Sequence, residues 1–162
     1  MSIDLYSAAV RETCTGKELG CSEWFVIDQS RIDAFGHASE DVDPMHMDPE
    51  WTRARSPYGT TISYGFLTLS LLTHMLHDVI LRSPREAYKL NYGFDRVRMI
   101  TPVPVGSAVR ARIVLKAAQV RTPGRILCNF DVTVEIRGEQ RPALVAEWLL
   151  LLVEQSSASN AA

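Results

Sequence analysis

The sequence has few cysteines, and they are not arranged as a covalent framework. Cys14, Cys21 and Cys128 are odd in number and widely spaced, and none belongs to a Cys-x-x-Cys pair. This pattern excludes a disulfide scaffold within the chain. It predicts free, unreactive thiols in a reducing cytoplasm.

An excess of charge of one sign and a long apolar run are also lacking. The 17 basic and 19 acidic side chains give a formal net charge of −2, and the basic ones are interleaved with acids. A nucleic-acid partner is therefore not expected. No secretory signal is expected either, because Asp4 interrupts the only candidate stretch at the N-terminus. The most apolar segment, residues 66–80, contains His74, His77 and Asp78 and is too short and polar to span a membrane.

The composition is typical of a single folded domain. The chain has 162 residues, of which 46% are hydrophobic and 22% charged. We predict one domain over residues 1–154. Residues 155–162 have the small polar composition of a disordered C-terminal tail.

Helical signals dominate the first half of the chain. Asp28 is placed to cap a helix that continues to about Ser39, with Ile32, Phe35 and Ala38 sharing one face.

Two more helices are predicted farther along. Asp48, Pro49 and Glu50 favour the start of a short helix, and residues 56–60 favour a turn. Residues 64–80 predict the longest helix, whose apolar side chains cover more than one stripe. Such a helix is expected to be buried on most sides.

Alternating polar and apolar residues replace the helical period in the second half. Residues 109–116 and 126–136 predict long strands with one packed face, and residues 144–153 predict another that is apolar on both faces at its end. Turn residues at 122–124 and 138–142 favour antiparallel pairing of neighbouring strands. The pattern predicts an α+β fold in which an antiparallel sheet wraps around a buried helix.

The most unusual segment is residues 37–48, which holds four acids and two histidines around Pro44. Proline disfavours a continuous helix, so the chain turns here and can bring Asp41 and His46 to one site. A carboxylate and an imidazole can exchange protons with a substrate or a water near neutral pH. A solvated acidic loop, with Asp41 and Asp43 capping backbone amides, is the competing explanation.

Further motifs accompany this segment. Together, the runs Asp41-Val-Asp-Pro-Met-His46, Gly59-Thr-Thr-Ile-Ser-Tyr-Gly65, Tyr92-Gly-Phe-Asp-Arg-Val-Arg98 and Pro102-Val-Pro-Val-Gly106 resemble the MaoC-like family of (R)-specific enoyl-thioester hydratases. The resemblance is strongest to the branch of nodulation protein N-like proteins, and it covers about residues 20–153. It implies a hot-dog fold, in which an antiparallel sheet wraps a long central helix, and a homodimer.

The resemblance also assigns roles to particular residues. In the family motif Asp-x-Asn-Pro-x-His, the first Asp and the His hold the water that adds to the enoyl double bond, and these positions are Asp41 and His46. The Asn is replaced by Asp43, which can still accept a hydrogen bond that orients the loop but adds a negative charge near the base. A glycine amide that faces the thioester carbonyl matches Gly65. Tyr64 stands where many relatives have histidine.

The implied reaction is reversible hydration of 2-enoyl thioesters to (3R)-hydroxyacyl thioesters, without a metal or redox cofactor. The substrate would be an acyl-CoA or an acyl carrier protein thioester. Leu69, Thr73 and Leu76 on the central helix are candidates for an acyl pocket and equally for the core. Arg96 and Arg98 could contact phosphates, or could simply be exposed strand residues.

Two other functions fit the same residues. Thioester hydrolysis is one, because a fold does not determine a reaction. Binding of acyl thioesters without turnover is the other, and the departures at Asp43 and Tyr64 make it plausible. Metal binding is not expected, because His74 and His77 have only Asp78 to complete a ligand set.

Overall fold

A computed structural model describes residues 3–80 and 82–155 of the chain. Within these residues the helices and strands are, in chain order, α1 (Ala8–Cys14), β1 (Lys17–Cys21), β2 (Phe25–Val26), α2 (Gln29–Ser39), α3 (Pro44–Met47), α4 (Pro49–Arg55), α5 (Gly65–Ser70), α6 (Leu72–Val79), β3 (Glu86–Met99), β4 (Ala108–Thr122), β5 (Arg125–Ile136) and β6 (Leu144–Glu154). Residues 156–162, most of the predicted tail, lie outside the described residues. Gln155 is described, and its N–H donates to the carbonyl of Arg85 at 2.9 Å.

The short helices begin where capping residues predict. The Asp28 carboxylate accepts the N–H of Arg31 at 2.9 Å at the start of α2, and Asp48 likewise caps α4. The prediction that Ala38 shares the inner face of α2 is wrong, because Ala38 is exposed. The buried residues of α2 are Ile32 and Gly36, four positions apart and therefore on one side of the helix.

The predicted central helix is interrupted at Leu71, which separates α5 from α6. The hydroxyl of Ser70 donates to the carbonyl of Leu67 at 2.7 Å, in competition with the N–H of Leu71 at 3.2 Å. Burial also differs between the two parts. In α6, Leu72, Met75 and Leu76 are buried, whereas Phe66 of α5 is 72% exposed, so the expectation of burial on most sides is wrong there.

The six strands form one antiparallel sheet in the order β1-β4-β5-β6-β3, with β2 also paired to β4. Pro123 and Gly124 connect β4 to β5, and Gly124 has the positive φ of +73° that such a tight turn requires. The predicted antiparallel pairing of the last three strands is confirmed. The sequence patterns missed α1, β1, β2 and α3 in the first half, and they gave no bounds for β3 in the second.

The sheet packs one face against α6. Alternate residues of β4, β5 and β6 point into one core, including the fully buried Ile113, Phe130 and Trp148. Burial also raises the pKa of the Cys128 thiol to about 12, so this cysteine is protonated at neutral pH. No helix in the described part of the chain is long and apolar enough to cross a membrane.

Candidate active site

The main chain of Asp41 is placed by the end of α2. Glu40 adopts a left-handed conformation with φ of 60°, and the N–H of Asp41 donates to the carbonyl of Gly36 at 3.0 Å. This is the hydrogen bond of a Schellman helix end. The left-handed conformation costs a non-glycine residue ~1–2 kcal/mol, which surrounding contacts must offset. The carboxylate of Asp41 is exposed and makes no hydrogen bond with the residues described.

Pro44 turns the chain and begins α3. The carboxylate of Asp43 accepts the N–H of Met45 at 2.7 Å, and Pro44 occupies the first turn, where a missing N–H is tolerated. This is the backbone cap that the competing explanation of a solvated acidic loop also predicts for Asp43, and the loop-orienting role of Asp43 stays a prediction. His46 follows in the last turn of α3.

The His46 ring is held in one orientation by a main-chain carbonyl. Its Nδ1 lies 2.8 Å from the carbonyl oxygen of Ile62. A carbonyl can only accept, so Nδ1 carries the hydrogen, and a neutral ring keeps Nε2 free to accept a proton. The ring also packs against Tyr64, with ring centroids 3.8 Å apart and the ring planes tilted by 33°.

Gln29 ties α3 to the segment before α5. Its Nε2 donates to the carbonyl of His46 at 2.8 Å and to Asp33 at 2.7 Å, and its Oε1 accepts from the hydroxyl of Thr61. Gln29 was not among the residues predicted for the site. No local signal marks it, because its partners lie up to 32 positions away.

Tyr64 joins the same arrangement from the start of α5. Its side chain is 3% exposed and its hydroxyl donates to the main-chain carbonyl of Asp41. The ring also packs against Phe35, with centroids 5.2 Å apart. Burial, and secondarily the charge of Asp41, raises the pKa of the Tyr64 hydroxyl. The hydroxyl therefore keeps its hydrogen at neutral pH and donates it in the hydrogen bond to Asp41.

Gly65 is the first residue of α5 and lines a cavity of about 450 Å³. The first N–H bonded within this helix is that of Thr68, which donates to the carbonyl of Tyr64 at 3.1 Å. The amides of residues 65–67 therefore have no helical acceptor. His46 lines the same cavity, but Asp41 is not among its described lining residues. The structure thus brings His46 and Gly65 together and leaves the Asp41 carboxylate outside this lining.

Several cavity residues were not predicted. The hydroxyl of Ser63 donates to the carbonyl of Tyr64 at 3.1 Å and lies 3.2 Å from the hydroxyl of Thr68. Their closeness to Gly65 in the chain is a signal that could have identified them. Met99, the last residue of β3, and Thr101 also line the cavity, but both are distant from Gly65 in the chain. The buried Thr101 hydroxyl has no partner within residues 3–80 and 82–155.

The candidate acyl-pocket residues do not line this cavity. Leu69 and Thr73 border a separate depression of about 190 Å³ beside Phe94 and Trp148. Leu76 is 1% exposed and belongs to the core.

Arg96 and Arg98 lie exposed on β3, and neither lines the cavity that holds His46. The Arg98 guanidinium donates to the carbonyl of Val97 at 2.9 Å.

Among the described residues, no further metal ligand is grouped with the two histidines of α6. His74 packs edge-on against Phe25 at 5.1 Å, and the carboxylate of Asp78 accepts the N–H of Glu23 at 3.2 Å. In the described part of the chain, no three histidine, cysteine or acidic side chains are grouped as a metal site.

A sheet wrapped over a helix, with a cavity between α3, α5 and the end of β3, defines a hot-dog protein. The chain belongs to the MaoC-like domain family, whose model matches residues 10–135. It is 45% identical to nodulation protein N of Rhizobium leguminosarum bv. viciae over 137 residues, which are 85% of each protein. It is 37% identical to 3-hydroxyacyl-thioester dehydratase Z of Mycobacterium tuberculosis (strain ATCC 25618 / H37Rv) over 148 residues, 91% of this chain and 96% of the relative.

A solved structure supports the same fold. The (R)-hydratase from A. caviae involved in PHA biosynthesis superposes with a TM-score of 0.67 at 21% identity, covering 83% of this chain and 96% of that one. The predicted family and hot-dog fold are therefore confirmed.

Proposed function

We propose that this protein is a hydro-lyase that adds water reversibly to 2-enoyl thioesters and forms (3R)-hydroxyacyl thioesters. One observation carries the proposal: His46, with Nδ1 engaged by the carbonyl of Ile62, lines one cavity together with the helix-start residue Gly65. The name of the relative that is 37% identical, a 3-hydroxyacyl-thioester dehydratase, supports the same reaction.

His46 supplies the base in this reaction. A hydrogen bond from Nδ1 to a carbonyl leaves Nε2 as the proton acceptor. As the water oxygen bonds to C3 of the substrate, one water O–H bond breaks and its proton passes to the catalytic pair. A proton from the pair bonds to C2, so no proton is gained or lost overall.

Asp41 is the second member of the pair. Its carboxylate makes no hydrogen bond to any described residue, so it is available to hold the attacking water against His46. Catalytic hydrogen bonds often form only when substrate is bound, and the exposed position of this carboxylate is consistent with that behaviour.

The Gly65 amide stabilises the intermediate. Addition at C3 moves negative charge onto the thioester oxygen, and an unpaired amide at a helix start is a donor for that charge. A glycine also leaves the cavity wall open beside this amide, where a larger side chain would project toward Met99.

The first test is a direct assay. The purified protein is expected to bleach the ultraviolet absorbance of an enoyl-CoA with no added cofactor, and Asp41→Asn is expected to lower kcat/KM by roughly 100-fold. Asp131→Asn makes the same chemical change on β5, away from the cavity, and is expected to retain the wild-type rate.

Two results would contradict hydration. Thiol release from a saturated acyl-CoA without bleaching would assign a hydrolase. Thermal stabilisation by enoyl-CoA without any product would assign a binding protein. An acyl carrier protein thioester is assayed in parallel, because the proposed substrate is a thioester on either carrier.

We also place the protein in the cytoplasm, which the three free cysteines support.

We further propose that two copies of the chain form a homodimer through β3. This strand is 14 residues long, lies at the edge of the sheet and, within the described residues, pairs only with β6. Tyr88, Leu90, Tyr92 and Phe94 are apolar side chains exposed along it, Tyr92 by 58%. A long apolar edge strand is a template for pairing with another chain.

Placing a charge on this strand is expected to separate the copies. Tyr92→Lys would bury an unpaired ammonium in the interface, so its mass in sedimentation equilibrium is expected to be that of one chain, against two for the wild type. Val120→Lys is the matched control, because Val120 is also exposed, by 54%, but lies on β4. A monomeric wild type, or a dimeric Tyr92→Lys, would contradict pairing through β3.

A further inference from the structure

Tyr64 contacts both members of the proposed acid and base pair. Its hydroxyl donates to the main-chain carbonyl of Asp41, and its ring packs against His46 in a tilted arrangement with centroids 3.8 Å apart. It also directly precedes Gly65, the proposed oxyanion donor. Its side chain therefore contacts two of the proposed catalytic residues and its main chain continues into the third, although Tyr64 is 3% exposed and is not among the described lining residues of the cavity.

We propose that Tyr64 is a positioning residue: its hydroxyl fixes the main chain of Asp41 while its ring fixes the His46 imidazole, which sets both relative to Gly65. This inference rests on the proposed hydratase function. Tyr64 acts through Asp41 and His46 and does not itself touch the substrate.

The end of α2 leaves room for this hydroxyl. A Cβ atom on Gly36 would lie 2.5 Å from the Tyr64 hydroxyl oxygen and 2.6 Å from the Met47 sulfur. Only a glycine fits there without moving these groups. Glycine inside a helix is less stable than alanine, so the close approach of Tyr64 to Gly36 lowers the local stability of α2.

Asp41 needs such a tether because its own side chain has none. Its N–H bonds to the carbonyl of Gly36, but it follows Glu40, whose conformation is strained, and its carboxylate is exposed. Without the Tyr64 hydroxyl, the carbonyl of Asp41 loses its side-chain donor. A carboxylate displaced by about 1 Å from its reacting position can cost roughly 100-fold in rate.

The test is Tyr64→Phe, which removes the hydroxyl and keeps the ring. We expect kcat for enoyl-CoA hydration to fall by roughly 10- to 100-fold while KM changes by less than about twofold, because substrate contacts remain. Tyr6→Phe is the matched control: Tyr6 is 4% exposed and its hydroxyl donates to the main-chain carbonyl of Val153 at 3.5 Å. A generic loss of core stability would affect both variants alike, whereas positioning affects kcat only in Tyr64→Phe.

Hydrogen exchange separates this inference from the proposed function. Amides of residues 41–47 are expected to exchange faster in Tyr64→Phe than in the wild type, while amides of β4 and β5 are unchanged. If the wild-type protein has no hydratase activity, the proposed function is wrong. The hydrogen-exchange result then tests by itself whether Tyr64 holds the main chain of Asp41 in place. Wild-type kcat in Tyr64→Phe, an equal fall in Tyr6→Phe, or unchanged exchange in residues 41–47 would overturn the inference.

Discussion

His46→Ala is expected to lower kcat/KM for enoyl-thioester hydration by roughly 1,000-fold, because it removes the group that accepts the proton of the attacking water. The Nδ1 hydrogen bond to Ile62 defines which ring nitrogen is free, and no other histidine lines the cavity within the described residues. Steady-state kinetics on an enoyl-CoA measures the effect.

Folding must be checked alongside this variant. His46→Ala also loses the hydrogen bond to Ile62 and the ring contact with Tyr64, and the two losses together are expected to lower the unfolding free energy by about 1–2 kcal/mol. Chemical denaturation measures this loss. His37→Ala serves as control, since His37 is exposed in the same acidic segment and is absent from the described cavity lining. His46→Ala with more than a tenth of wild-type activity, although folded, would exclude His46 as the base.

Gly65→Val is expected to lower kcat/KM by roughly 100-fold, whereas Gly65→Ala changes it by only a few-fold. A Cβ on Gly65 would lie 3.2 to 3.4 Å from Cγ, Sδ and Cε of Met99, which is a flexible side chain that can shift. A branched valine extends farther into the cavity and excludes the thioester from the amide. Gly65 lies in a helix and does not have a positive φ, so both variants keep the backbone geometry.

Restoring space tests this explanation. In Gly65→Val combined with Met99→Ala, the truncated side chain opens the cavity, and we expect at least about tenfold recovery of kcat/KM. Equal rates for wild type and Gly65→Val would show that substrate does not approach this amide. Equal losses in the alanine and valine variants, with no recovery in the double variant, would point to a backbone effect instead.

Much of the local structure could be predicted because its causes are local. Asp28, Asp43 and Asp48 each accept a main-chain N–H two or three positions ahead, and a cap of this kind requires only the residue and its neighbours. Alternation predicted β4, β5 and β6 because successive side chains of a strand point to opposite faces.

Other features of the fold depend on contacts that a periodic pattern does not contain. The break at Leu71 coincides with a side-chain hydrogen bond from Ser70 to the carbonyl of Leu67, which the apolar period does not indicate. The inner face of α2 includes Gly36 because Tyr64 and Met47 pack closely against it. A search for apolar periodicity selects Ala38 and passes over a buried glycine.

The sequence by itself identified Asp41, His46 and Gly65 as candidate site residues. Turn-forming residues and family motifs can be recognised within short runs of the sequence. Only the tertiary structure decided how they meet. It placed His46 and Gly65 on one cavity, kept the Asp41 carboxylate outside the lining, and brought the Tyr64 side chain into contact with both Asp41 and His46. The physical reason is that capping and alternation act over a few residues, whereas partners separated by 16 to 32 positions meet only through packing of the whole domain.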